Sequence, residues 1–296
     1  SAASDVYKRQ DKNIMRYIPL SNSIYKRNRR NFMNEMKGNS MAVFNSNDIY
    51  PVSADSELPF EQHRDIFHLT GIDQEETILL LYPPSKDDKT REILFIRKSD
   101  NHTKVWEGEK LSRKQANELS GIDSIYYLDD FKDILSSIAT KVDTFYINKN
   151  EHYRANSPVE TREDRFISWL LKNYPAHNVA KSNPILQRQR SIKHPDEIDQ
   201  IKKACDITRK GFNRVLKFIK PDVWEYEIEA EFIHEFINSS SKGFAYSPII
   251  ASGDDNNVLH YIKNNKQCKS GELILMDVGA EYGNYSSDMT LSLIHI

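Results

Sequence analysis

The stretch Gly271-Glu-Leu-Ile-Leu-Met-Asp277-Val-Gly-Ala-Glu-Tyr-Gly283-Asn-Tyr-Ser-Ser-Asp288-Met-Thr290 reads as an apolar strand, a tight turn and a second strand, the pattern of a β-hairpin. Asp277 and Asp288 are eleven residues apart. An odd separation across an even-length loop puts both side chains on one face of an antiparallel pair. A turn at Tyr282-Gly283 sets the two aspartates directly opposite each other, and a turn at Gly283-Asn284 makes them diagonal neighbours. Alternation along the first strand places Asp277 with Leu273 and Leu275, on an apolar side expected to be buried.

Two facing anions in such a place need compensation. Like charges opposite each other destabilise a sheet, and an unpaired buried carboxylate costs several kcal/mol or takes up a proton. A bound cation removes both problems. Carboxylate oxygens favour hard or borderline ions such as Mn²⁺, Mg²⁺ or Ca²⁺, and no cysteine stands nearby to make a soft thiolate site. The alternative on spacing alone is that one aspartate caps the turn while the other pairs with a lysine or arginine from elsewhere.

Upstream of the hairpin, Pro195, Asp196 and Glu197 open a helix, since proline is tolerated in the first turn and carboxylates suit its positive end. Ile198, Ile201, Cys205, Thr208, Phe212, Val215 and Ile219 follow at spacings of three and four, which predicts one buried stripe ended by Pro221. A second amphipathic helix begins near Glu225, with Ile228, Phe232 and Phe236 on its inner face. Nearer the start, the pattern predicts a helix over 21–36, strands over 41–45, 77–82, 92–97, 124–127 and 144–147, and helices over 112–119, 129–137 and 161–171. Mixed strands and helices make an α/β first domain. The polar segment Val179 to Arg190 is the best boundary candidate.

A chain of 296 residues exceeds the usual single-domain size, so two domains are expected, over 15–185 and 190–296. With 39% hydrophobic residues, 28 Phe and Tyr and three Trp, each has the means to build a core. A net charge of −2 offers no attraction to phosphate backbones, which argues against nucleic acid as a partner. No apolar run approaches a bilayer span, so no membrane is expected, and two distant cysteines, Cys205 and Cys268, fit a reducing cytoplasm. His63 and His68 are read as structural.

The run Asp277-Val-Gly-Ala-Glu-Tyr with Tyr285-Ser-Ser-Asp288-Met-Thr290 resembles the first metal-binding signature of the Xaa-Pro aminopeptidases, members of the pita-bread metallopeptidase family. Arg190-Ser-Ile-Lys-His-Pro-Asp-Glu-Ile198 resembles the helix opening that domain, as Phe244-Ala-Tyr-Ser-Pro-Ile-Ile-Ala-Ser-Gly253 resembles a later part of it. Phe60-Glu-Gln-His-Arg-Asp-Ile-Phe-His-Leu-Thr-Gly71 resembles the family's N-terminal domain. The resemblance implies an α/β N-terminal domain of the creatinase/aminopeptidase P type, ribonuclease H-like, followed by an incomplete α+β pita-bread catalytic domain. It implies a dinuclear, usually Mn²⁺, site in which Asp277 and Asp288 bind metal and a bridging water attacks the amide before a proline. It also implies His260 as a substrate-pocket histidine and Tyr246 as a lining residue, peptides with proline in second position as substrates, and a possible homo-oligomer. Without the family, His260 reads as a surface or core histidine and Tyr246 as packing. An Xaa-Pro dipeptidase and a non-catalytic pita-bread binding module are the alternatives.

The family's pattern continues after Thr290 with a basic residue and, further on, a His and two Glu ligands, whereas here Leu291-Ser-Leu-Ile-His-Ile296 does not follow it. No catalytic residue is therefore assigned, and His295 is not taken as a ligand. The chain taken alone is expected to be inactive, with foreign sequence over 1–14 and 291–296.

Overall fold

The computed structural model describes residues 16–152 and 157–294; His295 and the opening residues 1–14, singled out above, lie outside them. The described residues form two compact units, residues 20–193 and residues 16–19 with 194–294. The α/β unit followed by an α+β unit is the fold class expected from the sequence.

The first unit is built on a six-stranded mixed sheet in the order Ser124–Tyr127, Glu92–Ile96, Ile78–Leu81, Ser40–Asn45, Thr144–Ile147 and Asn178–Lys181. Its first three strands in chain order form an antiparallel meander, with Ala42 opposite Leu81 and Ile78 opposite Phe95. The outer strands add in parallel. Alternation sends Ala42 and Phe44 into a core with Phe32, Ile66 and Leu69, and Met41 and Val43 into a second core with Phe131 and Leu135. Helices therefore cover both faces, and the strand Ser40–Asn45 is buried throughout. His63 caps the helix Arg64–Thr70 by accepting from the Asp65 amide, and buried His68 bonds Asn28, which agrees with structural roles for both. The segment 179–190 is not a linker. It forms the edge strand Asn178–Lys181 and the helix Asn183–Ser191 of this unit, and its weak apolar signal reflects an edge position that leaves Val179 exposed.

In the second unit the helices Pro195–Phe218 and Glu225–Asn238 pack on two three-stranded sheets. One sheet has the order Ile249–Ser252, Leu273–Val278, Met289–Ile294, and the other Tyr285–Ser286, Ala280–Tyr282, Gly243–Phe244. The inner face of the second helix is as expected, with Ile228, Phe232 and Phe236 buried. The stripe on the first helix is rotated. Its buried residues are Glu197, Gln200, Ala204, Ile207, Thr208, Gly211, Phe212 and Val215, while Ile198 and Cys205 are exposed. Two causes are visible. A methyl group at Gly211 would stand 2.7 Å from a Phe236 ring carbon, so the close helix crossing turns that glycine inward. Polar residues then meet partners on the same face, as where the Tyr285 hydroxyl donates to Glu197.

Candidate metal site at the hairpin elbow

The tip of the hairpin is Gly283-Asn284. Both residues have positive φ, 59° and 68°, the left-handed pair that matches the twist of two antiparallel strands. Tyr282 faces Tyr285, Glu281 faces Ser286, and the same register continues to Val278 opposite Met289 and Asp277 opposite Thr290. Asp288 is thus diagonal to Asp277, the second of the two registers that parity allowed.

The ladder changes sheets midway. Leu273–Val278 and Met289–Ile294 belong to one sheet, Ala280–Tyr282 and Tyr285–Ser286 to the other, and Gly279 and Ser287 sit at the junction. A Cβ on Gly279 would lie 1.9 Å from the Ser287 carbonyl oxygen, so only glycine permits this crossing. Ser287 closes the elbow from within. Its amide donates to the Ala280 carbonyl at 3.0 Å, its Oγ accepts from the Ala280 amide at 2.9 Å, and Oγ lies 2.6 Å from Thr208 Oγ1 on the long helix. Thr208 therefore acts as a polar pin beneath the elbow, whereas its spacing in the sequence suggested only an apolar stripe.

The elbow brings Asp277 and Asp288 to one hydroxyl. Tyr246 Oη stands 2.6 Å from Asp277 Oδ1 and 3.0 Å from Asp288 Oδ1. A phenol carries one proton, so it satisfies only one of these acceptors at a time. Burial first, then the two carboxylates, push the Tyr246 phenol well above its usual range, which keeps it a neutral donor. Among the described residues neither aspartate has a lysine, arginine or histidine within ion-pair distance. The alternative of one aspartate neutralised by its own cation therefore has no support in the geometry.

One expectation is corrected. Leu273 is exposed, Leu275 and Asp277 are half-buried and Asp288 is exposed, while the buried face of the strand carries Ile274, Met276 and Val278. Those three pack with the helices, and the carboxylate face lies on the other side of the sheet. Both carboxylates therefore keep contact with solvent, and burial costs them less than a place in the core would. The convergence of two anions on a single proton remains, and it is a cation, not a second hydroxyl, that would relieve it.

As a metal site the pair is incomplete in this chain. The carboxylate oxygens suit a hard divalent ion, but among the described residues no third His, Cys, Asp or Glu joins them. His260 follows the 3-10 turn Gly253–Asn257 and is exposed, with no hydrogen bond to either aspartate. Tyr246, expected from the resemblance as a lining residue, places its hydroxyl between the two carboxylates, and the one signal for that in the sequence is its position beside the strand Ile249–Ser252, whose Ile249 faces Asp277.

Both units have counterparts among known protein families. Residues 25–146 match the aminopeptidase P N-terminal domain and residues 199–296 the metallopeptidase family M24. The chain is 28% identical over 272 residues to the Xaa-Pro aminopeptidase of Escherichia coli, covering 92% of this chain and 62% of that protein. It is likewise 28% identical to human Xaa-Pro aminopeptidase 3, covering 83% and 48%. Solved aminopeptidase P structures superpose closely, with TM-score 0.83 and 26% identity for the E. coli enzyme, over 94% of this chain and 63% of that one. The Pseudomonas aeruginosa aminopeptidase gives 0.81 and 27%, over 94% and 62%. The chain thus carries an aminopeptidase P N-terminal domain and part of a metallopeptidase family M24 domain, is similar to Xaa-Pro aminopeptidases, and spans less than two thirds of these relatives.

Proposed function

We propose that this chain forms the first part of a metal-dependent aminopeptidase that releases the N-terminal residue preceding proline. Asp277 and Asp288 are the metal ligands of this reading, with Mn²⁺ the expected ion, and His260 and Tyr246 act on the substrate side. The observation that carries it is the meeting of both carboxylates on the Tyr246 hydroxyl with no lysine, arginine or histidine among the described residues in ion-pair distance. When bound, divalent ions polarise the scissile carbonyl and make water a nucleophile at neutral pH. This chain's contribution is to hold two anionic ligands at fixed separation across a glycine elbow. Tyr246 holds one proton between them, and ion binding at that point takes over the role its proton plays. The names of the relatives support the Xaa-Pro preference, and their similarity extends over both units. Two domains, dividing near Lys193, belong to the same reading. Free Cys268 and Cys205 favour a reducing compartment such as the cytoplasm. No described helix is long and apolar enough to cross a membrane.

Titration of the full-length gene product with Mn²⁺, beside Asp277→Asn and Asp288→Asn, tests the assignment. Each substitution is expected to weaken binding by at least about tenfold through loss of one charged ligand. Wild-type affinity in both variants overturns it. The 296-residue chain assayed alone on an Xaa-Pro peptide with Mn²⁺ is expected to show no turnover, because two carboxylates supply only part of a divalent ion's coordination shell. Clear turnover refutes that expectation.

A further inference from the structure

Glu225 opens the helix Glu225–Asn238 and is fully buried, yet it has no ion-pair partner among the described residues. Its carboxylate accepts four hydrogen bonds from neutral donors. Ser252 gives its amide and its hydroxyl to Oε1, both at 2.8 Å, while the Tyr261 hydroxyl and the Lys266 amide reach Oε2 at 2.8 and 2.9 Å. The Glu225 amide returns a bond to the Lys266 carbonyl at 3.0 Å. Four donors therefore satisfy both oxygens of a carboxylate that lies in the first turn of a helix.

These donors come from places that matter to the site. Ser252 ends the strand whose Ile249 pairs with Asp277, and Tyr261 is the neighbour of His260. Between Asn257 and Lys263 the chain is outward-facing, with Val258, Leu259, His260 and Ile262 exposed, and Tyr261 is the one side chain turned in, at 7% exposure. Further ties lie on either side. Asn256 bonds the Leu273 carbonyl and the Leu275 amide, and Asn264 takes the Ile250 amide and donates to the Pro248 carbonyl. Burial and the Glu225 hydrogen bond push the Tyr261 phenol up to about 12, so this tie persists across the working pH range.

We propose that Glu225 is a positioning residue: through Tyr261 and Lys266 it holds the loop 253–266 against the strand Ile249–Ser252, and so sets where His260 stands relative to the Asp277 strand. Its consequence for catalysis rests on the reading of His260 as a substrate-binding residue. This carboxylate, bonded only by neutral donors, does not tolerate replacement by an amide. Glu225→Gln turns one oxygen into a donor that must face a backbone amide, that of Ser252 or that of Lys266, whichever way the side-chain amide is flipped. Tyr261→Phe is the milder variant, since it removes one bond and keeps the ring.

Hydrogen exchange on the chain and kinetics on the full-length gene product test this together. Tyr261→Phe is expected to speed amide exchange over 258–266 about tenfold, with strand 273–278 unchanged, and Glu225→Gln to exceed it where the variant folds. In the peptidase, Tyr261→Phe is expected to lower kcat/KM by about tenfold through misplacement of His260, and to add nothing to His260→Ala. Unchanged exchange in Tyr261→Phe, or a loss that multiplies with that of His260→Ala, overturns the positioning role and leaves the reading of His260 intact. A His260→Ala variant with full turnover overturns that reading, and with it the catalytic consequence drawn here, whatever the exchange result.

Discussion

Replacing Gly279 with alanine adds a single methyl group, yet it should disable the elbow. The added carbon would sit 1.9 Å from the Ser287 carbonyl oxygen and 2.7 Å from its carbonyl carbon, and both are backbone atoms that no rotamer change can move. The strands must separate there. Separation strains the bonds that run through the junction: Ala245 amide to Gly279 carbonyl at 2.8 Å, Ser287 amide to Ala280 carbonyl at 3.0 Å, and the Ala280 amide shared by Thr208 Oγ1 and Ser287 Oγ at 2.9 Å each. Losing two or three of them at about 1 kcal/mol apiece costs roughly 2–3 kcal/mol, which agrees with the usual penalty for overpacking. At about 1.4 kcal/mol per factor of ten, amide exchange over 274–282 should accelerate by about 10²-fold. Exchange over the first unit should not change, because its core is separate. Gly38→Ala, where the methyl meets nothing within 4 Å, is the control. Acceleration of less than about threefold in Gly279→Ala, at which point the cost is under 1 kcal/mol, would refute the claim that this glycine is what lets the strands cross.

Three further outcomes follow from other features of the second unit. Tyr246→Phe removes the donor shared by Asp277 and Asp288, so the metal-free protein should melt lower by about 2–4 °C, the equivalent of ~1 kcal/mol; an unchanged midpoint would mean water already serves both carboxylates. Asn284→Ala places a Cβ-bearing residue without a favourable side chain at φ 68° and should cost about 1 kcal/mol in a urea titration, while Asn284→Gly should be near neutral. Exposed Cys205 should react with a thiol reagent at pH 8 and Cys268 should not, because burial first pushes its thiol up to about 11 from its ordinary 9. Folding raises this pKa, so the unfolded chain loses the proton first, and stability should fall as pH rises from about 9 towards 11. Cys268→Ala should flatten that slope, and two native equivalents of reactive thiol at pH 8 would contradict the assignment.

Much of the fold is readable along the chain because it depends on local spacing. Ser21 before an amphipathic run, Thr161 before another, and the β-rich segments at 41–45, 124–127 and 144–147 each carry their own period and caps, and the structure places elements there. Parity along the hairpin is equally local: an eleven-residue separation with an even loop puts Asp277 and Asp288 on one face whatever surrounds them. Burial is not local. The strand Leu273–Val278 is apolar on both sides at most positions, so its sequence could not say that Ile274, Met276 and Val278 meet the helices while Asp277 faces away. The long helix offers two overlapping stripes, and the choice between them came from Gly211 against Phe232 and Phe236, a contact between segments some twenty residues apart.

The sequence by itself determined that two aspartates share a hairpin face, because side-chain direction in a strand is a property of the backbone repeat. Only tertiary structure decided the register at Gly283-Asn284, the arrival of the Tyr246 hydroxyl between the carboxylates, and the tethering of the loop bearing His260 to Glu225. Those features join residues distant along the chain, and their geometry exists only once the packed core has fixed how the segments cross.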